Sequence, residues 1–385
     1  MKILYDYQAF MQKFGGISNC FIQLISHLPK DVQFEIAVQE SDNYHLRSSG
    51  LKEIKPLRIV EENFISTKKF KGRGFLYRRF NRLFPQYTSE GRNRLCSIEA
   101  LKKGEFDVFH PTYFEDYFLP YLCGKPFVLT VHDMIPELFW GNRKRDMQVA
   151  NKPKLCKEAS HIIAVSEKTK EDLIELLDVP ENKITVIYHG APPKIDISTE
   201  EPIIEGEYIL YVGMRNLYKS FREMLLHIAP VLKRHHNLKI VCTGKDFTKE
   251  ENVLILHLGL NDKIIIKHPN DHEMQNLYHN ALCFIYPSQY EGFGIPILEA
   301  YQANCPVLLN QKSCFPEIAQ DAAIYFHLDQ ESSNLEDVME QFLITSKEER
   351  GKLIAKQQVR LQLFSWEKSA KQLANVYNLV RDSIK

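Results

Sequence analysis

The chain reads as an α/β protein built from two doubly wound parallel sheets, and three observations lead there. Its 385 residues exceed what one hydrophobic core usually supports, so two domains are expected. Short apolar runs alternate with stretches whose apolar residues recur at helical spacing, the rhythm of parallel strands joined by helices. Between two such series lies a segment, 191–206, that mixes prolines with charges and keeps no period.

Taken in order, the first series places strands at 3–5, 34–38, 107–109, 127–131, 162–165 and 184–187. The second places them at 208–212, 238–242, 264–267, 283–286, 307–309 and 323–326, with helices between. A tail from Trp366 carries Leu373, Val376, Tyr377 and Val380 on one helical face. The expected division is therefore an N-terminal domain 1–190, a linker 191–206, a C-terminal domain 207–365 and a final helix 366–385, with a ligand cleft between two Rossmann-like sheets.

Composition excludes some classes. With 49 basic and 49 acidic residues the formal net charge is zero, which argues against a general nucleic-acid binder. Eight cysteines show no Cys-x-x-Cys spacing and several lie in apolar runs, which suits reduced thiols in a cytoplasmic protein rather than a zinc site or a disulfide frame. Asp6 interrupts the N-terminus after five residues, so a secretory signal is not expected, and no stretch approaches the roughly 20 apolar residues of a membrane span.

The densest chemistry lies in Glu291-Gly292-Phe293-Gly294-Ile295-Pro296-Ile297-Leu298-Glu299-Ala300. Two glycines let the backbone approach a ligand, and Pro296 suits a helix start, where no N–H is needed. A diphosphate would sit on the free N–H groups near Gly294 at the positive end of the helix dipole. Glu291 would then face a sugar, and Glu299 could bind a ribose diol through its two acceptor oxygens. The plain alternative is a loop-to-helix junction with two solvated glutamates. Upstream, an apolar strand ends at Gly213, followed by Arg215, Asn216 and Lys219. Carboxyl ends of parallel strands are where open α/β sheets bind ligands, so these cations could neutralise a diphosphate leaving group; otherwise they are solvated surface charges. His132-Asp133 and His110 likewise end strands, as active-site or as structural residues, and Gly15-Gly16 opens a helix, as an anion-facing loop or a tight turn.

Together these segments resemble the retaining glycosyltransferases of family 4, with the two-domain GT-B fold. The resemblance runs through Gly15-Gly16-Ile17-Ser18, Phe109-His110-Pro111-Thr112, Val131-His132-Asp133-Met134-Ile135-Pro136-Glu137, Val165-Ser166, Tyr188-His189-Gly190, the Glu291–Glu299 pair and Phe364-Ser365-Trp366-Glu367. It implies a nucleotide diphosphate sugar as donor, with Gly15, Gly16, Gly213, Arg215, Lys219, Glu291, Gly292, Phe293, Gly294, Ile295 and Glu299 around it. It also implies His132 and Asp133 beside the transferred sugar, His110 on the acceptor side, and a last helix that crosses back to the first domain. No cofactor and no metal are expected, since no Asp-x-Asp carboxylate pair occurs and cations with helix dipoles would carry the leaving diphosphate. The segment 132–137 resembles mannosyl- and rhamnosyltransferases most, which suggests a hexose, mannose from GDP-mannose, passed to a growing glycan of a surface polysaccharide. A non-catalytic sugar-nucleotide scaffold, or a synthase or phosphorylase acting on a soluble acceptor, are the alternatives.

From 63 to 89 no acidic residue occurs, and Lys68, Lys69, Lys71, Arg73, Arg78, Arg79 and Arg82 alternate with aromatic and aliphatic side chains. Such a segment could rest on anionic lipid at the inner face of a membrane and meet a lipid-linked acceptor, or pack its aromatic face on the domain. Four positions depart from the family pattern. Asn304 stands where a helix-ending glycine is common, Gln320 stands before Asp321 where another is, and Cys314-Phe315 replace small or aliphatic residues beside the sugar pocket.

Overall fold

The computed structural model describes residues 1–61, 64–65, 70–140, 147–193, 200–215, 217–329 and 332–383. Lys68, Lys69, Asn63, Asn216 and the middle of the 191–206 linker fall outside the described residues. Two compact units result. The first comprises 1–165, 169–188 and 366–385; the second comprises 166–168 and 189–365.

Strands of the first unit are β1 (Lys2–Tyr5), β2 (Gln33–Ile36), β3 (Val108–His110), β4 (Val128–Val131), β5 (His161–Ala164) and β6 (Ile184–Val186). All pair in parallel, in the orders β2-β1-β3 and β4-β5-β6, and a parallel bridge from Phe109 to Phe127 joins the two sets. The inner strands β3, β4 and β5 are buried along their whole length, as expected for parallel strands covered on both faces, while the edge strand β2 is partly exposed. The last helix, Trp366–Asp382, belongs to this unit. Its Tyr377 hydroxyl reaches the Tyr5 hydroxyl at 2.8 Å, and Ser369 Oγ donates to the Tyr188 carbonyl at 2.6 Å.

The second unit holds β7 (Tyr208–Tyr211), β8 (Lys239–Thr243), β9 (Ile264–Lys267), β10 (Cys283–Tyr286), β11 (Val307–Asn310) and β12 (Ile324–Phe326). Its six strands are parallel in the order β12-β11-β10-β7-β8-β9. That is the doubly wound order whose direction of winding reverses between β7 and β10, and ligands bind at the carboxyl ends of strands at such a reversal. The expected Rossmann-like strand series is thus present in both units. No described helix is long and apolar enough to cross a membrane.

Two departures from family glycines have local explanations. Asn304 takes φ 58°, and it ends the helix Ile295–Gln302 with two bonds, Asn304 N–H to the Tyr301 carbonyl and Cys305 N–H to the Ala300 carbonyl. This is a complete left-handed helix stop in which asparagine substitutes for glycine. Gln320 adopts φ 48° and ψ −125°, a backbone shape that glycine takes far more easily, with its side chain exposed.

Candidate active site

Chain leaving β7 turns at Gly213, whose φ of 119° requires glycine. Gly244, at the end of neighbouring β8, has φ 108°, and a Cβ there would lie 3.0 Å from the Gly213 carbonyl oxygen. The two strand ends therefore meet glycine to glycine. Arg215 bridges them: its Nε donates to Glu251 Oε1 at 2.9 Å, its Nη2 donates to the carbonyls of Lys245 and Asp246, and its guanidinium lies 4.7 Å from the Phe247 ring centre. Glu251 is itself held, because its second oxygen accepts the Thr248 N–H in a capping box at the start of the helix Lys249–His257. The Arg215 side chain is 4% exposed, and its Nη1 is buried with no hydrogen-bond partner. A buried guanidinium N–H left over costs about 1–3 kcal/mol unless something accepts it, which is what an anionic ligand would do. The alternative of Arg215 as a solvated surface cation is set aside: Glu251 pairs it, and only Nη1 remains to offer a diphosphate.

Lys219 ends the short turn Leu217–Lys219 and forms an ion pair with Glu291, which follows β10. Both side chains are largely buried, and the Lys219 ammonium stands 5.4 Å from the ring centres of Tyr218 and Tyr286. Tyr286, at the end of β10, also hydrogen-bonds Glu291; burial first and the Glu291 charge second push its hydroxyl pKa well up. The backbone of Glu291 is fixed from the loop after β11. Ser313 Oγ accepts the Glu291 N–H at 3.1 Å and donates to the Glu291 carbonyl at 2.8 Å, and Cys314 Sγ approaches that carbonyl at 3.2 Å. Cys314 therefore has a definite task where the sequence suggested only an altered pocket.

Gly294 caps the helix Ile295–Gln302 with φ 87°, so Pro296 stands at the second helical position rather than the first, where its missing N–H is equally harmless. A Cβ on Gly294 would press on Ile297 and Phe315 at 3.2 Å. Phe315 in turn lies 4.7 Å from Tyr286, ring centre to ring centre. Glu299 sits half-buried on the same helix, accepting the Tyr278 hydroxyl at 3.0 Å, and burial raises its carboxyl pKa. Phe293 departs from its donor-contact assignment: its ring is buried in the second unit, 4.8 Å from His189 and 5.8 Å from Phe364, so only its backbone can face a ligand.

In the first unit, Gly15 is extended and Gly16 begins the helix Gly16–Ser26; a Cβ on Gly16 would meet nothing within 4 Å. Phe21 of that helix packs edge-on to His132 at 6.0 Å. Asp133 accepts the Ile135 N–H at 2.9 Å, a turn that starts the short helix Ile135–Phe139, and its carbonyl accepts the buried Lys152 ammonium at 3.0 Å. Lys152 also pairs with Glu137 at 2.8 Å, so the loop carrying His132 is anchored from beneath. One oxygen of the Asp133 carboxylate is thus engaged in local structure. His110 is corrected outright. It is fully buried, with Nδ1 2.6 Å from the Tyr377 hydroxyl and Nε2 2.9 Å from Thr130 Oγ1, and burial lowers its pKa to about 3. Both ring nitrogens tie the core together, leaving none for an acceptor.

Sequence reasoning missed Gly244, Glu251, Tyr286, Ser313 and Lys152. Gly244 had the same signature as Gly213, an apolar strand closed by glycine, and Glu251 had the Thr-x-x-Glu spacing of a capping box. Ser313 and Lys152 act through tertiary contacts that no local pattern marks.

Six parallel strands with an anion-seeking arginine and a buried Lys–Glu pair at the winding reversal of the second unit, and a first unit also built on parallel strands, define an α/β protein of GT-B fold. Comparison with known proteins agrees. A glycosyltransferase family 4 model matches residues 14–194 and a glycosyl transferases group 1 model matches 195–360. The chain belongs to the family 4, group 1 glycosyltransferases. It is 30% identical over 207 residues to the O-antigen chain mannosyltransferase RfbU of Salmonella typhimurium, covering 53% of this chain and 58% of that one. It is 24% identical over 218 residues to the GDP-mannose:cellobiosyl-diphosphopolyprenol alpha-mannosyltransferase of Xanthomonas oryzae, covering 54% of this chain and 57% of that one. The chain thus spans less than three fifths of either relative's length. Anabaena HepE, crystallised with UDP and glucose, shares the fold with a TM-score of 0.71 at 14% identity, over 98% of this chain and 99% of that one.

Proposed function

We propose that the protein is a retaining hexosyltransferase that moves mannose from GDP-mannose to a lipid-linked glycan during surface polysaccharide synthesis. The observation that carries this is the Lys219–Glu291 pair beside the orphaned Arg215 Nη1 at the β7/β10 reversal. Lys219 and Arg215 Nη1 bind the donor diphosphate and stabilise the charge that develops on it. Glu291 holds the sugar hydroxyls, Glu299 the ribose, and His132 stands by the transferred sugar. Backbone N–H groups of 292–295 at the helix start complete the phosphate cradle. Mannose and a polyprenol-linked acceptor are supported by what the two relatives are called, and no protein nucleophile is assigned.

Lipid attachment of the acceptor is supported by the helix Arg73–Leu83. Tyr77 and Phe80 turn inward against Phe64, while Phe75, Leu76 and Leu83 are exposed with Arg78, Arg79 and Arg82. An exposed face of mixed apolar and basic side chains suits an anionic bilayer. The experiment is a transfer assay with purified protein, a panel of nucleotide sugars and a polyprenyl diphosphate-linked oligosaccharide. Mannosyl product from GDP-mannose is expected, with the anomeric configuration of the donor kept. Product from a different donor alone, or an inverted linkage, would overturn the reading.

A further inference from the structure

A cavity of about 690 Å³ opens in the first unit, away from the strand-end residues described above. Its walls come from the helix Arg73–Leu83, the helix Ser89–Lys103 and the loop after β3. Three arginines line it, Arg78 and Arg82 from the first helix and Arg94 from the second. Among the described residues none of the three has an ion pair, and Arg94 lies 5.2 Å over the ring of Tyr117, whose buried side chain forms part of the floor. Such a trio would ordinarily repel itself apart or find carboxylates.

Carboxylates are present but engaged. Asp116 is paired with Lys154 at 2.8 Å, Glu115 accepts the Tyr7 hydroxyl at 3.0 Å, and Glu90 accepts a hydrogen bond from Tyr77. Burial raises the pKa of Glu90 and lifts that of Glu115 to about 7, so this wall carries less negative charge at neutral pH than three acids suggest. Planar guanidinium forks match phosphate oxygens two at a time, which is why arginines gather where a phosphate binds. Asn151, Glu115 and the Tyr117 ring supply the hydrogen-bonding and stacking surface that a sugar uses. Phe75 and Leu83, each more than three-fifths exposed, offer apolar surface on the same helix as Arg78 and Arg82.

We infer that this cavity binds a diphosphate-bearing acceptor, its phosphates on Arg78, Arg82 and Arg94, its first sugar on Tyr117 and Asn151, and any attached hydrocarbon along Phe75 and Leu83. The anion site stands on its own geometry; calling the ligand the acceptor rests on the proposed transferase reading.

The full-length protein is titrated calorimetrically with inorganic pyrophosphate in a Lys219→Ala background, which weakens the competing donor site. Saturable binding is expected, reduced tenfold or more by Arg94→Ser and by the cavity-filling Ile98→Trp, and unchanged by Arg79→Ser, since Arg79 does not line the cavity. Neutral phosphatidylcholine vesicles with and without a few per cent of a polyprenyl diphosphate separate the two sources of the anion. Binding only to the doped vesicles, lost in Arg94→Ser, identifies a lipid diphosphate, whereas pyrophosphate binding without vesicle binding identifies a soluble one. No saturable binding, or binding indifferent to both Arg94→Ser and Ile98→Trp, overturns the site. If GDP-mannose is not a donor while the Arg94 dependence holds, the transferase reading fails and the anion site survives.

Discussion

Lys219 and Glu291 pair with each other, and that sets what each contributes. An ammonium already facing a carboxylate in a largely buried setting needs no reorganisation when a diphosphate arrives, so its effect falls on the charge that develops during bond breaking. Lys219→Ala should lower kcat by about a hundredfold or more while leaving the fold intact, checked by steady-state kinetics beside circular dichroism. Glu291→Gln keeps the shape and loses the charge; it should leave nucleotide affinity within a few fold and reduce sugar transfer, and unchanged transfer would remove Glu291 from the site. His110 gives a different kind of test. Its folded pKa, lowered to about 3, lies below the roughly 6.5 of an unfolded histidine, so the unfolded chain binds more protons between those values. Stability from this group is complete above pH 6.5 and declines as pH falls, by about 1.4 kcal/mol per unit once below that value. Urea unfolding at pH 7 and pH 5 should therefore show a loss of about 2 kcal/mol that shrinks in His110→Gln, where nothing titrates. A slope identical in the variant would locate the acid sensitivity elsewhere, His189 being the next buried candidate, its pKa lowered to about 4.

All twelve expected strand segments became strands, and most were legible because parallel strands covered on both faces are continuous apolar runs; the edge strand β2, with Glu35 in it, is the exception. Glycines at turns were legible for a related reason: Gly213 and Gly294 take positive φ, which restricts the residue type locally. The direction of a strand-end side chain is not encoded that way. His110 ends β3 and His132 directly follows β4, yet one is sealed by Tyr377 from a helix more than 260 residues later and the other is only partly covered. Phe293 was misjudged likewise, since a ring between two glycines reads as a ligand contact until His189 and Phe364 are seen around it. Gln320 shows that local strain is also readable when a family glycine is replaced. Because its side chain is exposed while its N–H and carbonyl are bonded to Pro316 and Tyr325, Gln320→Gly should remove strain without losing a contact. Relief of about 1–3 kcal/mol set against about 0.5–1 kcal/mol of glycine entropy leaves a net gain on the order of 1 kcal/mol, seen as a melting temperature higher by about 2–4 °C. A lower melting temperature would mean that the exposed glutamine has a role of its own.

At the scale of the whole chain, the first unit is closed by residues that come last. The helix Trp366–Asp382 places Leu373, Val376, Tyr377 and Val380 in the interior of a unit whose other residues end at 188, and Tyr377 bonds both Tyr5 on β1 and His110 on β3. Folding of that unit must therefore wait for a contact spanning most of the sequence, while the second unit is contiguous apart from three residues. Removing 366–385 would expose the face left behind and take Tyr377 from His110 Nδ1 and the Tyr5 hydroxyl and Ser369 from the Tyr188 carbonyl. Burying a large aromatic or aliphatic side chain contributes roughly 1.5–3 kcal/mol, so the loss of Tyr377, Leu373, Val376 and Val380 together, about 6–12 kcal/mol, is comparable to the 5–15 kcal/mol that a domain has in reserve. Calorimetry of the truncated protein should show the first unit's transition abolished and the second unit's kept, and a nucleotide sugar should still raise the surviving transition, because every donor contact assigned to 213–299 remains. Tyr377→Phe offers the graded version: it deletes only the hydroxyl shared by Tyr5 and His110, and should lower the first unit's transition while leaving the second unmoved. If truncation melts both units together, or if the donor no longer shifts the remaining one, the donor site is not confined to the second unit and the assignment of the phosphate grip to Arg215, Lys219 and the 291–299 segment must be redrawn.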